Sequence, residues 1–443
     1  MTSVKVKEAV ISFDDFTYRA PMKFRASIVD RVTLLNVNVR VESNHGRGSS
    51  GFGSMTLGNV WSFPSATLTY SQTLDAMKRL AAKLAVITES YGVAGDPIEL
   101  NHGLEPQYLE AARSMPVENT PIPPLCTLVV ASAFDAAIHD AFGKTLGMNC
   151  YRGYGPDCIA HDLSRYLDSR FDGEYLNQYL SREPKACLHV YHLVGALDPL
   201  TDTDLVARIN DGLPETLEEW VRADGVDHIK IKLDGADLEW DVDRVLSVNT
   251  VLNDLGTGRD WRYSLDFNER CQDAEYVLDC FARIREAEPE AFRRVEYVEQ
   301  PTNRNLDLPG TADMYQAAKL KPVVIDESLV DYASLLRARE LGYSGVALKA
   351  CKGQTNALLM GAAAQKFGMF TCVQDLTCPG ASLLQSVGLA AHLPPITAVE
   401  SNARQYVPAA NAPWIARFPG VFRPENGMFR TSDMDGPGLG IVE

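Results

Sequence analysis

Lysine and carboxylate side chains recur at the ends of five successive apolar runs in the second half of the chain. Each run is short and rich in β-branched residues, and a helix-length segment follows it, which is typical of βα units. The charged groups are about 23 to 34 residues apart, close to the length of one such unit. We therefore predict consecutive strands of a parallel barrel, whose active site forms at the carboxyl ends of the strands. The five stretches are 229–232, 265–268, 298–301, 325–328 and 347–349.

Three of these strand ends carry carboxylates that could hold a metal ion. Asp266, Glu299 and Asp326 would form an all-oxygen site, which suits Mg²⁺, with Mn²⁺ as its substitute, rather than zinc. The alternative for such residues is capping of the following helix. We predict metal ligation for the three together, and for Asn268 and Glu327 we leave both capping and a supporting role at the site open.

The lysines flank these carboxylates along the chain. Lys230 and Lys232 are two residues apart on one strand, so their side chains point to the same face. Mutual repulsion, partial burial and a nearby dication would lower the pKa of such a pair toward the range of a general base. An isolated pair of this kind would favour a solvated strand edge, but the carboxylates in register favour a site that also includes Lys349.

The series KxK, DxN, EQP, DES and a later lysine resembles the barrel of the enolase superfamily, within its group of muconate-lactonizing and mandelate racemase-like enzymes. Segment 133–144, followed by Leu146 and Gly147, resembles the helix entering that barrel, and 436–440 resembles its closing segment. The resemblance implies removal of the proton alpha to a substrate carboxylate through an enediolate, with Mg²⁺ holding the developing charge. It also implies that Lys232 and Lys349 are acid/base groups on opposite faces of the substrate, and that Lys230 orients and polarises it.

The fold implied is an α/β modified TIM barrel, (β/α)7β, with an N-terminal α+β capping domain that the C-terminal tail completes. We expect residues 1–132 to form the cap with its active-site lid, residues 133–408 the barrel, and residues 409–443 the returning segment. The polar stretch 157–185 looks like an insertion over the barrel or at a subunit contact.

The same scaffold supports several reactions, so the resemblance limits the reaction to this group without identifying which one the protein catalyses. We expect a racemase or epimerase, or a cycloisomerase, acting on a small carboxylate. A sugar-acid or hydroxy-acid dehydratase is the alternative, and a non-catalytic metal-binding barrel is the alternative of another class. A metal-dependent aldolase or phosphate-binding barrel would need a glycine-rich phosphate loop, for which 377–382 is a poor candidate.

Further polar residues near strand ends are candidates for substrate contact: His192, Gln374, Asp375, Glu400 and Asn402. Their alternative is simple solvation of loops, or a core position for the histidine. Dipeptide epimerases of this group carry DxD on the last strand, whereas this chain has Glu-Ser-Asn at 400–402, which weakens a dipeptide assignment. Segment 370–379 lacks the histidine base of mandelate racemase-type relatives.

A GxGxxG match at 46–51 favours a mobile lid over a dinucleotide-binding loop. The dinucleotide fingerprint requires a helix directly after the last glycine, but 52–59 contains two more glycines and no helical periodicity. Glycine's backbone freedom suits a loop that closes over the substrate.

Composition sets the remaining expectations. The 443 residues carry a net charge of −16, which argues against nucleic-acid or anionic-membrane partners. Nine scattered cysteines without a CxxC pattern indicate neither a disulfide framework nor a thiolate metal site. We expect a cytoplasmic homo-oligomer without a signal peptide or membrane span.

Overall fold

The computed structural model describes residues 2–24, 27–309 and 313–441. An antiparallel sheet near the N-terminus has the order β3-β2-β1-β4, and a second sheet contains the remaining strands. The strands are β1 (Val4–Phe24), β2 (Ser27–Ser43), β3 (Gly48–Thr56), β4 (Ala94–Gly95), β5 (Cys187–Val194), β6 (His228–Lys232), β7 (Arg262–Asp266), β8 (Val295–Glu299), β9 (Val323–Ile325), β10 (Gly345–Leu348), β11 (Phe370–Val373), β12 (Ala398–Glu400) and β13 (Met428–Arg430).

Helices follow the barrel strands and also pack on the antiparallel sheet. Several of the helices begin with a side-chain cap, such as the capping box in which Thr69 and Gln72 exchange hydrogen bonds at the start of α2. The helices are α1 (Asn59–Ser62), α2 (Tyr70–Ser90), α3 (Pro97–Arg113), α4 (Pro124–Leu146), α5 (Leu217–Asp224), α6 (Leu238–Asp254), α7 (Ala274–Ala287), α8 (Pro289–Arg294), α9 (Tyr315–Leu320), α10 (Tyr332–Glu340), α11 (Gln354–Lys366), α12 (Ala381–His392), α13 (Ala403–Tyr406), α14 (Pro408–Asn411) and α15 (Pro419–Phe422).

Strands β5 to β12 pair in parallel, and β12 also pairs with β5, so the eight strands form a closed barrel. The register aligns Lys232 with Asp266, and Asp266 with Glu299. Asp326 and Lys349 directly follow β9 and β10, so the charged groups lie at the same level of the barrel. The predicted modified TIM barrel with a separate N-terminal domain is confirmed.

Helix α4 joins the antiparallel sheet to the barrel. Asp140 accepts hydrogen bonds from the backbone of Phe52 in β3 and of Leu439 in the tail, and Asp135 accepts two from Thr355 in α11. The predicted domain boundary at residue 132 falls inside this helix, so the domain limits stay a prediction. The helix is long and apolar enough to span a membrane, but 94% of its most apolar window is buried in the fold, as expected for a core helix.

The glycine-rich segment 46–51 is not a lid over the cavity, contrary to the sequence-based expectation. Residues 48–56 form β3, which pairs with β2 in continuous register. A Cβ on Gly51 would lie 2.1 Å from the carbonyl oxygen of Ala137 in α4. Glycine is therefore required because sheet and helix backbones approach closely, and not because the chain moves.

The tail and the insertion both pack on the outside of the barrel. Strand β13 pairs antiparallel with β5, and Trp414 stacks on Phe52 of the N-terminal sheet. Segment 157–185 contacts the outer helices, where Glu174 pairs with Lys366 at 2.6 Å. Phe171 also contacts Phe367 there, so this insertion covers the barrel wall rather than its mouth.

Candidate active site

Two lysines face each other across the carboxyl end of the barrel. Lys232 ends β6, and Lys349 follows β10, four strands further round a barrel of eight. Asp266, Glu299 and Asp326 lie at the ends of β7, β8 and β9, the three strands between them on one side. The carboxylates therefore form an arc, with one lysine at each end of it.

Lys230 is held inside this arc by three carboxylates. Its ammonium lies 2.7 Å from Glu299 Oε2, 2.8 Å from Glu400 Oε2 and 3.2 Å from Asp266 Oδ2. Burial alone would lower the pKa of Lys230, but attraction to these carboxylates raises it well above its usual value. Burial and one neighbouring lysine therefore do not lower the pKa of Lys230 as expected, because three carboxylates outweigh both.

Lys349 pairs with Asp326, its ammonium 2.6 Å from Oδ2, while Lys352 lies 3.0 Å from Oδ1. Burial would lower the pKa of Lys349, but attraction to Asp326 and Glu299 raises it. Burial would likewise raise the pKa of Asp326, yet the two lysines hold it well below its usual range. Asp326 is thus a carboxylate with two cationic neighbours.

Lys232 contacts Asp266, and its ammonium lies 3.1 Å from Asn268 Oδ1. Asn268 also donates from its backbone to Asp266 Oδ1 at 2.9 Å and from its side chain to the carbonyl of Leu233 at 3.1 Å. Burial would raise the pKa of Asp266, but Lys232 and Lys230 keep it well below its usual range. Asn268 therefore supports both members of this ion pair.

Two other buried carboxyl groups have pKa values raised to near neutral pH. Burial and the adjacent charge of Asp266 raise the pKa of Glu299 to about 8. Burial and Glu400 raise the pKa of Asp375 to about 8 as well. Both carboxyl groups are therefore mostly protonated at neutral pH.

The donor chemistry of the site fits a hard dication. Both oxygens of Asp326 are buried and accept no hydrogen bond of normal geometry, although Lys349 and Lys352 lie within ion-pair distance. A bound dication would favour the ionised form of these carboxyl groups, and the surrounding set would then have five cations and seven carboxylates, an excess of two negative charges. Asp266, Glu299 and Asp326 could hold Mg²⁺ through oxygen atoms. The set is Lys230, Lys232, Lys349, Lys352, Arg304, Asp266, Glu269, Glu299, Asp326, Glu327, Asp375 and Glu400.

The N-terminal domain contributes a tryptophan to the same cavity. Trp61 Nε1 donates to Glu327 Oε1 at 2.8 Å, and the ammonium of Lys349 lies 4.8 Å from its ring centroid. Burial and the charge of Glu269 raise the pKa of Glu327 well above its usual value. Arg304 joins these groups by pairing with Glu269 at 2.6 Å and donating to the carbonyl of Trp61 at 3.0 Å.

The remaining wall of the cavity is largely apolar. It combines residues of the N-terminal domain with the segment after β11, and Arg31 lies beside Tyr70 there, 5.0 Å from its ring centroid. The apolar residues are Tyr18, Met22, Phe24, Val29, Val32, Leu57, Val60 and Leu376.

The structure brings four of the five further candidates to this end of the barrel. Asp375, Glu400 and Asn402 line the cavity, and Gln374 donates to Glu299 Oε2 at 2.5 Å. His192 lies outside the cavity, because alternate residues of β5 face opposite sides and its ring packs 5.5 Å from Trp220. It lines a neighbouring cavity, and burial lowers its pKa to about 3.

The turn after β8 fixes the relative positions of β8 and β9, the two strands with Glu299 and Asp326 at their ends. Gln300, between Glu299 and Pro301, has a φ of 30°, a left-handed conformation that is costly for this residue type. Its side-chain oxygen accepts the N–H groups of Asp326 and Ser328 at 2.9 and 3.2 Å. The EQP stretch thus connects the end of β8 to the turn after β9.

Sequence reasoning missed Trp61, Lys352 and the Arg304–Glu269 pair. Lys352 follows Lys349 by three residues, and the intervening 3₁₀ turn, Ala350–Lys352, returns its side chain to the same side. A second lysine one turn after the first was a usable signal. Trp61 is 266 positions from Glu327, and no local pattern indicates that contact.

Comparisons with known proteins agree with this architecture. Residues 212–442 match the family model described as enolase C-terminal domain-like, which covers just over half of the chain. No curated protein sequence matches the chain significantly.

Solved structures with the same fold cover almost the whole chain. The L-Ala-D/L-Glu epimerase from Bacillus subtilis, in a substrate-liganded complex, has 17% identity and a TM-score of 0.66, covering 99% of each chain. A dipeptide epimerase from Enterococcus faecalis V583, complexed with Mg and L-Leu-L-Tyr, has 16% identity and a TM-score of 0.65, covering 99% of this chain and 100% of that one. The muconate lactonizing enzyme from Pseudomonas fluorescens, complexed with muconolactone, has 17% identity and a TM-score of 0.63, covering 99% and 96%.

Three observations indicate the same family. They are the matched family model, the closed barrel with its N-terminal domain, and the KxK, DxN, EQP, DES and lysine stretches at one end of that barrel. This chain belongs to the enolase superfamily, in its mandelate racemase and muconate lactonizing enzyme group.

Proposed function

We propose that this protein is a Mg²⁺-dependent enzyme that removes the proton alpha to a substrate carboxylate and forms an enediolate. The observation that carries this proposal is the pair Lys232 and Lys349 on opposite barrel strands, with three carboxylates on the strands between them. Two opposed amines can remove a proton from one face of a substrate carbon and return it to the other.

Asp266, Glu299 and Asp326 would hold the ion, and Mn²⁺ is expected to substitute for Mg²⁺. When bound, the dication supplies positive charge that stabilises the enediolate oxygens. The ammonium groups of Lys232 and Lys349 must leave the carboxylate oxygens that they contact, which frees both amines to face the substrate.

Lys230 has a different role from the other two lysines. Its ammonium is buried and pairs with Glu400, which is not among the proposed metal ligands, so this contact remains when an ion is bound and makes Lys230 a poor base. Its fixed positive charge can instead orient the substrate carboxylate and polarise it.

We infer that the reaction is racemisation, epimerisation or cycloisomerisation of a small carboxylate. Glu400 is paired with Lys230, and Asn402 stands where a second carboxylate would hold a dipeptide ammonium. These residues favour a substrate other than a dipeptide. The apolar wall formed by Met22, Phe24 and Leu376 suits an apolar substrate body.

A dehydratase acting on a sugar acid or hydroxy acid is a second candidate, favoured by Asp375. This carboxyl lines the cavity, and its pKa of about 8 leaves it protonated at neutral pH. A protonated acid could donate to a departing hydroxyl group.

We also propose a cytoplasmic homo-oligomer. The nine cysteines are all unpaired, which is typical of proteins in a reducing compartment. The acidic composition disfavours nucleic-acid and membrane partners. Sedimentation analysis of the purified protein tests the oligomeric state.

Solvent exchange tests the proposed chemistry. The protein is incubated in D₂O with Mg²⁺ and a panel of carboxylic acids that includes hydroxy acids, N-acyl amino acids and dipeptides, and the alpha proton is followed by NMR. We expect at least one acid to exchange, and a chelator to stop the exchange until Mg²⁺ or Mn²⁺ is restored. Loss of a hydroxyl group identifies a dehydratase, and stereochemical inversion identifies a racemase or epimerase. Exchange that persists unchanged in chelator would refute the metal-dependent mechanism.

A further inference from the structure

A second group of metal-ligating side chains lies at the opposite end of the barrel. His189 is near the start of β5, His228 is the first residue of β6, and Asp227 directly precedes it. Their ligand atoms all lie within 4.8 Å of one another. His228 precedes Lys230 by two residues on the same face of β6, so it lies about 7 Å below it and about 13 Å below Lys232 along the strand.

The geometry of these three residues is close to that of a metal site. Asp227 Oδ1 is 3.0 Å from His189 Nδ1 and 2.6 Å from His228 Nδ1. Ligand atoms about 2.0–2.1 Å from a tetrahedral ion are roughly 3.3 Å apart. Small widening of the two contacts would therefore admit an ion, which would replace the protons now shared between the imidazoles and the carboxylate.

An apolar layer of the barrel interior lies beside His228 and below the active-site residues of five strands. Tyr191, next to His228 in the β5–β6 register, packs with residues of five other strands. Each of the five precedes an active-site residue by two positions, so it faces the barrel interior one layer below that residue. They are Tyr297, Val324, Ala347, Cys372 and Ala398.

The donor types at the two ends differ. Two imidazoles and one carboxylate suit Zn²⁺ and similar first-row transition ions, whereas the all-oxygen set at the other end suits Mg²⁺. The side chains of His189, Asp227 and His228 are 28%, 18% and 10% exposed, so an ion can reach them from solvent. Glu296, which accepts a hydrogen bond from Tyr191, or water could complete the coordination.

We propose that His189, Asp227 and His228 form a transition-metal site at the amino end of the barrel, separate from the catalytic end, with Zn²⁺ as its preferred ion. The ion links β5 to β6 where the barrel begins. Its role is structural, because active sites of such barrels form at the other end.

Zinc titration in the presence of Mg²⁺ tests the proposal. The full chain is stripped with a chelator, saturated with Mg²⁺ and titrated with Zn²⁺ alone by calorimetry. We expect one equivalent of Zn²⁺ to bind. His189→Gln and His228→Gln should each lower the affinity by at least about tenfold, since even loss of a residue that supports a ligand costs that much. His45→Gln, at an exposed loop position, is the matched control and should bind as the wild type does.

Two further measurements keep the outcome clear if a variant fails to fold. Asp326→Asn alters the other end of the barrel and should retain the zinc equivalent. Co²⁺ bound to the wild type under the same conditions should give the intense visible bands of a four-coordinate site with nitrogen ligands. Absence of Zn²⁺ uptake by the wild type in Mg²⁺, weak six-coordinate Co²⁺ bands, or loss of zinc in Asp326→Asn would overturn the proposal.

Discussion

The strand ends of the barrel and the glycine-rich segment 46–51 both carry patterns that suggest function, but they differ in the structure. The charged strand ends meet around one cavity, from Lys232 on one side to Lys349 on the other. The glycine-rich segment instead enters β3 and packs on α4. A pattern repeated in register over five elements fixes where residues meet, whereas one glycine motif indicates only an unusual backbone requirement.

We expect substitutions at the strand ends to affect catalysis much more than folding. Lys232→Ala and Lys349→Ala should each lower kcat by about 10²–10⁴-fold, the usual contribution of a general acid or base. If the enzyme interconverts stereoisomers, each variant should lose exchange of the alpha proton from a different isomer. Enantiomer-resolved NMR exchange measures this loss, and circular dichroism checks the fold.

Lys83→Ala, at an exposed position of α2, is the matched control for these variants and should keep wild-type turnover. Full activity in both Lys232→Ala and Lys349→Ala would contradict the assigned roles.

Changes in the glycine-rich segment should have the opposite effect. Gly51→Ala places a Cβ against the backbone of α4 and should lower the free energy of unfolding by about 3 kcal/mol or more. Gly46→Ala meets no atom within 4 Å, so it should cost only about 1 kcal/mol for its φ of +75°. Denaturant unfolding measures both. A lid would give the reverse result, with unchanged stability and an altered KM in Gly51→Ala.

Trp61, in α1, contacts the strand-end site from the N-terminal domain, and the predicted effect of changing it is smaller. Trp61→Phe keeps the aromatic ring beside Lys349 but removes the hydrogen bond to Glu327. We expect kcat to fall by roughly tenfold, since a buried hydrogen bond of this kind contributes about 1–2 kcal/mol. Trp240→Phe, on α6, is the control. Equal kinetics for the two variants would exclude a role for Trp61 in positioning the site.

The sequence was sufficient to predict the barrel and the residues that converge in it, because strand alternation and βα length are local properties. Residues 229–232 and 265–268 therefore lie at the expected end of the barrel. The contact of Trp61 and the raised pKa of Lys230 depend on which distant groups pack together, and no local pattern carries that information. The prediction that segment 46–51 is a lid was wrong because glycine permits both motion and close packing, and composition alone does not distinguish the two.

Anomalous diffraction from crystals of the protein soaked in Mn²⁺ tests the central claim most directly. The account predicts a peak within ligand distance of Asp266, Glu299 and Asp326, with the amines of Lys232 and Lys349 on opposite sides of the space beside it. A fully soaked crystal without a peak among these three carboxylates, or with both lysines still paired to them, would contradict it.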